Sequence, residues 1–119
     1  MKCYRPNAGI VVFRFDGKVL FCQRVENYSK NWQFPQGGID KEETPLQAAY
    51  RELKEETSVT SVEYVAALNK PLRYDFPKQI KYKNARKGIK NDGQEQYWHL
   101  FFFKGKDDDI NFQTCALPI

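Results

Sequence analysis

Gly37-Gly38-Ile39-Asp40-Lys41-Glu42-Glu43-Thr44-Pro45-Leu46-Gln47-Ala48-Ala49-Tyr50-Arg51-Glu52-Leu53-Lys54-Glu55-Glu56-Thr57-Ser58-Val59 is the stretch from which the rest of the chain is read. It combines a glycine pair, a polar turn and one strongly specified helix. Thr44 suits the N-cap, Pro45 suits the first helical position because its missing N–H is an orphan there anyway, and Gln47 completes a capping box with Thr44. From that start, about 100° per residue puts Leu46, Ala49, Tyr50 and Leu53 on one apolar stripe that docks on a core. Glu52, Glu55 and Glu56 fall beside the stripe at i, i+3 and i+4, and their carboxylates share one patch. Ala48 leaves room above Glu52.

Like charges at this spacing cost a helix roughly 0.2–0.5 kcal/mol per pair unless a cation sits between them. Arg51, four residues before Glu55, is placed to hold that carboxylate by a charge-assisted hydrogen bond. An all-oxygen ligand set favours Mg²⁺ or Mn²⁺ over zinc. Taken alone, a helix face of this kind is an ordinary solvated surface. The residues upstream argue for a divalent-metal site.

With Gly37 as its first glycine, the segment fits G-x5-E-x7-R-E-U-x-E-E-x-G-U, U being aliphatic, through Gly37, Glu43, Arg51, Glu52, Leu53, Glu55, Glu56 and Val59. It therefore resembles the Nudix family. Ser58 stands where that family has glycine, at a helix C′ position where the left-handed conformation is easiest for glycine; serine there costs about 1 kcal/mol or less. Outside the box, Tyr4-Arg5-Pro6-Asn7-Ala8-Gly9-Ile10-Val11, Trp32-Gln33-Phe34-Pro35-Gln36-Gly37-Gly38, Leu72-Arg73-Tyr74 and Gly93-Gln94-Glu95-Gln96-Tyr97-Trp98 resemble the branch that holds bacterial RNA pyrophosphohydrolases and diadenosine-polyphosphate hydrolases. The resemblance runs from about Tyr4 to Thr114.

It implies an α/β fold, the Nudix α/β/α sandwich on a mixed sheet. It also implies Mg²⁺, with Mn²⁺ as the substitute, held by Glu52, Glu55 and Glu56, with the Gly37 carbonyl as a candidate further ligand. Among these catalytic glutamates, Glu52 is the candidate for orienting or deprotonating the attacking water. Glu43 is expected to brace the Gly-rich loop, with Arg51 in support. Arg5 matches the arginine that contacts 5′ phosphates. Arg24 and Tyr74 are implied to border the nucleic-acid groove, and Lys78 and Gln94 are expected to line it. Gln36, Gln94 and Gln96 are candidates to donate or accept near the site, with buried amides satisfying backbone as the ordinary explanation, and His99 is read as a satisfied core residue.

The expected function is hydrolysis of phosphoanhydride bonds, foremost the conversion of a 5′-triphosphate or diphosphate RNA end to a monophosphate. A dinucleoside polyphosphate hydrolase and an inert nucleotide- or RNA-binding module are the alternatives. Members of this branch continue with a further acidic loop, a strand and a closing helix. The chain, read as one domain over residues 1–119, therefore reads as truncated at its C-terminus.

At 119 residues it is long enough for one core without structural metal. Three cysteines without close spacing suggest a reduced, cytoplasmic protein rather than a disulfide scaffold. No apolar run reaches membrane-spanning length and no signal-peptide pattern opens the sequence. The net charge of +4 is uneven: Lys70 to Lys90 carries eight basic residues against Asp75 alone, a net +7 that leaves −3 elsewhere. Interleaved with Tyr74, Phe76 and Tyr82, this segment suits a polyanion such as 5′-phosphorylated RNA. A solvated lysine-rich loop accounts for the charge equally well.

Ala8 to Phe15 and Lys18 to Val25 read as strands joined by Asp16-Gly17, a hairpin signal. Trp32 to Phe34 reads as extended, and Gln36-Gly37-Gly38 as a turn. Leu72 to Phe76 is partly extended and Ser61 to Leu68 a strand, while the apolar run from Gln96 to Lys104 predicts a strand buried on both faces.

Overall fold

The computed structural model describes residues 3–23, 32–79, 86, 88, 92–106 and 115–116. In chain order its elements are β1 (Tyr4–Phe13), β2 (Phe21–Gln23), β3 (Trp32–Gln33), β4 (Gln36–Gly38), α1 (Pro45–Thr57), β5 (Val62–Ala67), β6 (Leu72–Asp75), β7 (Gly93–Phe103) and β8 (Cys115–Ala116). The main sheet runs β4-β1-β7-β5, with β6 also paired to β7. β1 and β7 lie parallel, from Tyr4 opposite Gly93 to Phe13 opposite Phe102, whereas β4, β5 and β6 pair antiparallel. The fold is thus mixed α/β on a mixed sheet, as expected. A smaller sheet, β3-β2-β8, stands beside it.

Side chains alternate across the sheet. On one face Ala8, Ile10, Val12, Phe101 and Phe103 are buried against Ala48, Ala49 and Leu53 of α1. The helix begins on the expected capping box: Gln47 N–H donates to Thr44 Oγ1 at 3.2 Å, and Thr44 N–H to Gln47 Oε1 at 2.9 Å. It ends at Ser58, in the left-handed region at φ 65°, whose N–H donates to Lys54 O at 2.8 Å. The apolar stripe is turned slightly from its expected position. Ala48 lies in the core, and Tyr50 is exposed, meeting Phe101 edge-on at 5.0 Å. Among the described residues a second helical layer on this sheet is not seen.

Three strand expectations need correction. The Asp16-Gly17 turn forms, with Gly17 at φ 86° and Arg14 N–H donating to Lys18 O at 2.8 Å, and the hairpin pairs on through Phe13 with Val19 and Leu20 N–H to Val12 O at 2.9 Å before β2 leaves it for the smaller sheet. β1 instead runs its whole length beside β7, which is not buried on both faces as expected: Phe101 and Phe103 are buried on the side of α1, while Trp98, Leu100 and Phe102 on the other side are only half-buried. Gln36-Gly37-Gly38 is β4 rather than a turn, since its open glycines let other side chains close over an edge strand. Cys22 is disulfide-bonded, so the cysteines are not all reduced; Cys3 is free. Arg24 lies outside the described residues. Among the described residues, no helix is long and apolar enough to cross a membrane.

Candidate active site

β4 places two neighbouring glycines on opposite faces of the sheet. Gly37 faces α1, where a Cβ would collide with the Glu52 carboxyl group. Gly38 faces the other way, where a Cβ would stand 2.9 Å from Arg5 Nη2. The bareness of this strand is therefore what brings Glu52 and Arg5 against the same backbone.

Arg51 ties the helix to that strand. Its guanidinium donates to Glu43 at 3.1 and 2.6 Å, to Glu52 at 2.7 Å, to Glu55 at 3.3 Å and to the Gly38 carbonyl at 2.9 Å. Asp40 Oδ2 stands 3.8 Å away. Glu43 also accepts the Asp40 N–H at 2.8 Å, closing the loop between β4 and α1. The hydrogen bonds from Arg51, then that from Asp40 N–H, hold the Glu43 carboxyl below its ordinary value, and the same carboxylates hold Arg51 firmly charged.

Glu52, Glu55 and Glu56 occupy one flank of α1, but Arg51 sits between the first two. Among the described residues, no three His, Cys, Asp or Glu side chains are gathered around a metal-sized space. The cation that offsets Glu52 and Glu55 in this structure is thus Arg51. The donor set still fits a hard divalent ion, because all three groups are carboxylates at helical neighbour spacing beside the backbone of Gly37. Glu52 and Glu55 would have to exchange Arg51 for it.

On the opposite face the register sets Arg5, Gln94 and Tyr74 in one cross-strand row. Tyr74 is 43% exposed, so it is not core, and its hydroxyl donates to Gln94 Oε1 at 2.5 Å. The next rows continue the polar strip. Gln96 Nε2 donates to Gln36 Oε1 at 3.0 Å, whose own Nε2 reaches Gln33 at 3.4 Å. Beyond them lies an apolar cavity of about 450 Å³ lined by Phe34, Leu72, Trp98 and Leu100. Lys70, Lys78 and Arg86 are exposed, while Arg73 pairs with Glu95 at 3.4 Å and lies over the Tyr4 ring. Lys81, Lys83, Lys87 and Lys90 lie outside the described residues. His99 is buried with Nδ1 3.4 Å from Gly9 O; burial pushes its pKa down, partly opposed by the Gly9 and Tyr97 carbonyls.

The sequence reading missed Gly38 as an acceptor for Arg51, and Asp40 beside it. It also passed over Asn7, a polar residue at the start of the apolar half of β1, which was the one available signal.

The sequence profile of the NUDIX domain matches residues 4–116. An RNA pyrophosphohydrolase of Pelagibacter ubique is 44% identical over 110 residues, covering 92% of this chain and 68% of that protein. The RNA pyrophosphohydrolase of Xanthomonas campestris pv. campestris is 42% identical over 117 residues, covering 97% and 55%. The chain spans about half to two thirds of the length of these relatives. Among solved structures, Escherichia coli dihydroneopterin triphosphate pyrophosphohydrolase superposes with a TM-score of 0.72 at 21% identity, over 97% of this chain and 80% of that one. Ap4A hydrolase of Caenorhabditis elegans superposes with a TM-score of 0.64 at 22% identity, over 95% and 78%. At those identities the superpositions speak to fold.

Proposed function

Because the chain belongs to the NUDIX family, we propose that it is a divalent-metal-dependent pyrophosphohydrolase that trims 5′-triphosphate or diphosphate RNA ends to the monophosphate. The observation that carries this reading is the Gly37-Gly38 strand, with the glutamate flank of α1 on one side and the Arg5 fork on the other. Among the described residues β4 is the edge of its sheet, so a polyphosphate crossing that edge touches both groups. The likeness to RNA pyrophosphohydrolases over nearly the whole chain, and the exposed Lys70, Lys78 and Arg86, favour RNA.

In this mechanism Glu52, Glu55 and Glu56, with the Gly37 carbonyl, would hold Mg²⁺ or Mn²⁺. When bound, the ion neutralises phosphoryl charge and acidifies a coordinated water. Arg5 binds the 5′ phosphates as a bidentate fork, and Tyr74 and Gln94 flank it as hydrogen-bonding groups. Glu52 orients the attacking water or takes its proton, its own position being set by contact with Gly37 and by Arg51. Catalysis here is chiefly charge placement. The setting is the cytoplasm, although the Cys22 disulfide does not follow from it.

The test is incubation with 5′-triphosphate RNA and Mg²⁺, reading released pyrophosphate and phosphate and the new 5′-monophosphate end. Turnover should fall steeply with salt, because several phosphate contacts are made at once. No release by the folded protein would sink the proposal. Salt-insensitive turnover of dinucleoside polyphosphates, with RNA untouched, would transfer it to that substrate.

A further inference from the structure

Asn7 and Gly38 face each other across β1 and β4. The bonds Ile39 N–H to Pro6 O, at 3.3 Å, and Ile10 N–H to Pro35 O, at 3.0 Å, mark Pro6 with Ile39 and Ile10 with Pro35 as bonded pairs. Antiparallel pairs alternate, so Ala8 with Gly37 is bonded and Asn7 with Gly38 is the narrow kind, with Cα atoms about 4.5 Å apart. Side chains of such a pair lie against each other. Gly38 has none, and Arg5 fills its place, with Nη2 2.9 Å from where the Cβ would stand.

Asn7 is 4% exposed, and its Oδ1 has no hydrogen-bond partner among the described residues. A bare buried acceptor costs roughly 1–3 kcal/mol, so such a group in a native fold calls for a donor. Arg5 carries five donors and makes no salt bridge among the described residues. Among the described residues, an acceptor lacking a donor thus lies beside a guanidinium without a salt bridge.

We propose that Asn7 is a positioning residue for Arg5: its Oδ1 accepts one guanidinium N–H and turns the rest of the fork toward the substrate phosphate. The amide suits this task because it is neutral. An aspartate would fix the fork equally well but would compete with the phosphate for its charge. The consequence for substrate rests on Arg5 being the phosphate contact proposed above, whereas the contact between Asn7 and Arg5 stands apart from it.

The experiment uses the whole chain and the variants Asn7→Ala, Asn7→Asp and Arg5→Ala, with Asn7→Ser replacing Asn7→Ala should that one fail to fold. Arginine side-chain nitrogen NMR reads rotation of the Arg5 guanidinium, and calorimetry reads binding of inorganic tripolyphosphate. Rotation should be slow in the parent and in Asn7→Asp, and fast in Asn7→Ala. Tripolyphosphate should bind about tenfold more weakly to Asn7→Ala, the equivalent of one hydrogen bond to a charged group. Asn7→Asp should also bind weakly despite its restrained fork. With RNA substrate, Asn7→Ala should raise KM and leave kcat near the parent value.

Removing Asn7 together with Arg5 should weaken binding no more than removing Arg5 alone. Arg5 signals unaffected by Asn7→Ala overturn the proposal, whatever happens to substrate. Slow rotation that is lost in Asn7→Ala, while Arg5→Ala binds tripolyphosphate as the parent does, upholds the contact and sinks the assignment of Arg5 to phosphate.

Discussion

Replacing Arg51 with Met keeps much of the aliphatic stem and deletes the guanidinium that joins α1 to β4. A hydrogen bond to a charged group contributes roughly 1.5–3 kcal/mol when buried, and an exposed ion pair about 0.2–1 kcal/mol. The Arg51 side chain is 30% exposed and that of Glu55 59%, so the Glu55 contact belongs at the low end and those to Glu52 and Gly38 between the two ranges. Loss of Arg51 should therefore cost about 2–4 kcal/mol, which for a chain of this size lowers Tm by roughly 8–16 °C. The assay is thermal and urea unfolding without metal, from pH 8 down to pH 3. Glu43 sets the pH dependence. Its carboxyl is held below its ordinary 4.5 mainly by Arg51, then by the Asp40 N–H, so the unfolded chain takes up that proton first as the pH falls. The contribution is complete above about pH 4.5 and is lost as the pH drops through the folded value. The gap between parent and variant should be level at neutral pH and narrow in acid. A gap under about 1 kcal/mol at pH 7, or one that widens in acid, would refute the network as the tie between helix and strand.

Gly37→Ala should displace the Glu52 carboxyl and lower turnover by about tenfold or more while circular dichroism stays unchanged; full activity would separate Glu52 from the chemistry. Ser58→Gly relieves a left-handed serine and should raise stability by up to about 1 kcal/mol, read as a small rise in Tm with no change in KM. His99 is buried with a lowered pKa, so between its ordinary 6.5 and the folded value the unfolded state binds the extra proton. Parent stability should accordingly fall as the pH drops below about 6.5, and His99→Gln should flatten that fall when unfolding is followed across pH.

The helix was legible because its signals are local. Thr44, Pro45, Gln47 and Ser58 act within a turn of their own positions, and each appears in the structure where the sequence put it. The Asp16-Gly17 turn was legible for the same reason. The pairing of β1 with β7 was not, because a parallel ladder between distant segments leaves no mark in either strand beyond apolarity. β4 was read as a turn since glycines disfavour strands on propensity, and only the two side chains closing over Gly37 and Gly38 explain its extended form. Of the site, the glutamates and Arg51 could be gathered from spacing. Arg5 came from resemblance alone, and the bare oxygen of Asn7 exists only in three dimensions.

The parallel ladder also bears on how the protein is made. Cys3 N–H donates to Asp92 across 89 residues of sequence, just ahead of the register that starts with Tyr4 and Gly93. At roughly 5–20 residues per second on the ribosome, β1 waits several seconds or more for its main partner to emerge. β4 reaches it sooner, which leaves the other edge of a ten-residue strand open through most of synthesis. An unpaired apolar edge is a template for the matching strand of another nascent chain. Crowded polysomes are therefore where strand exchange between copies should begin, and slower initiation or a holdase chaperone should raise the yield of folded protein.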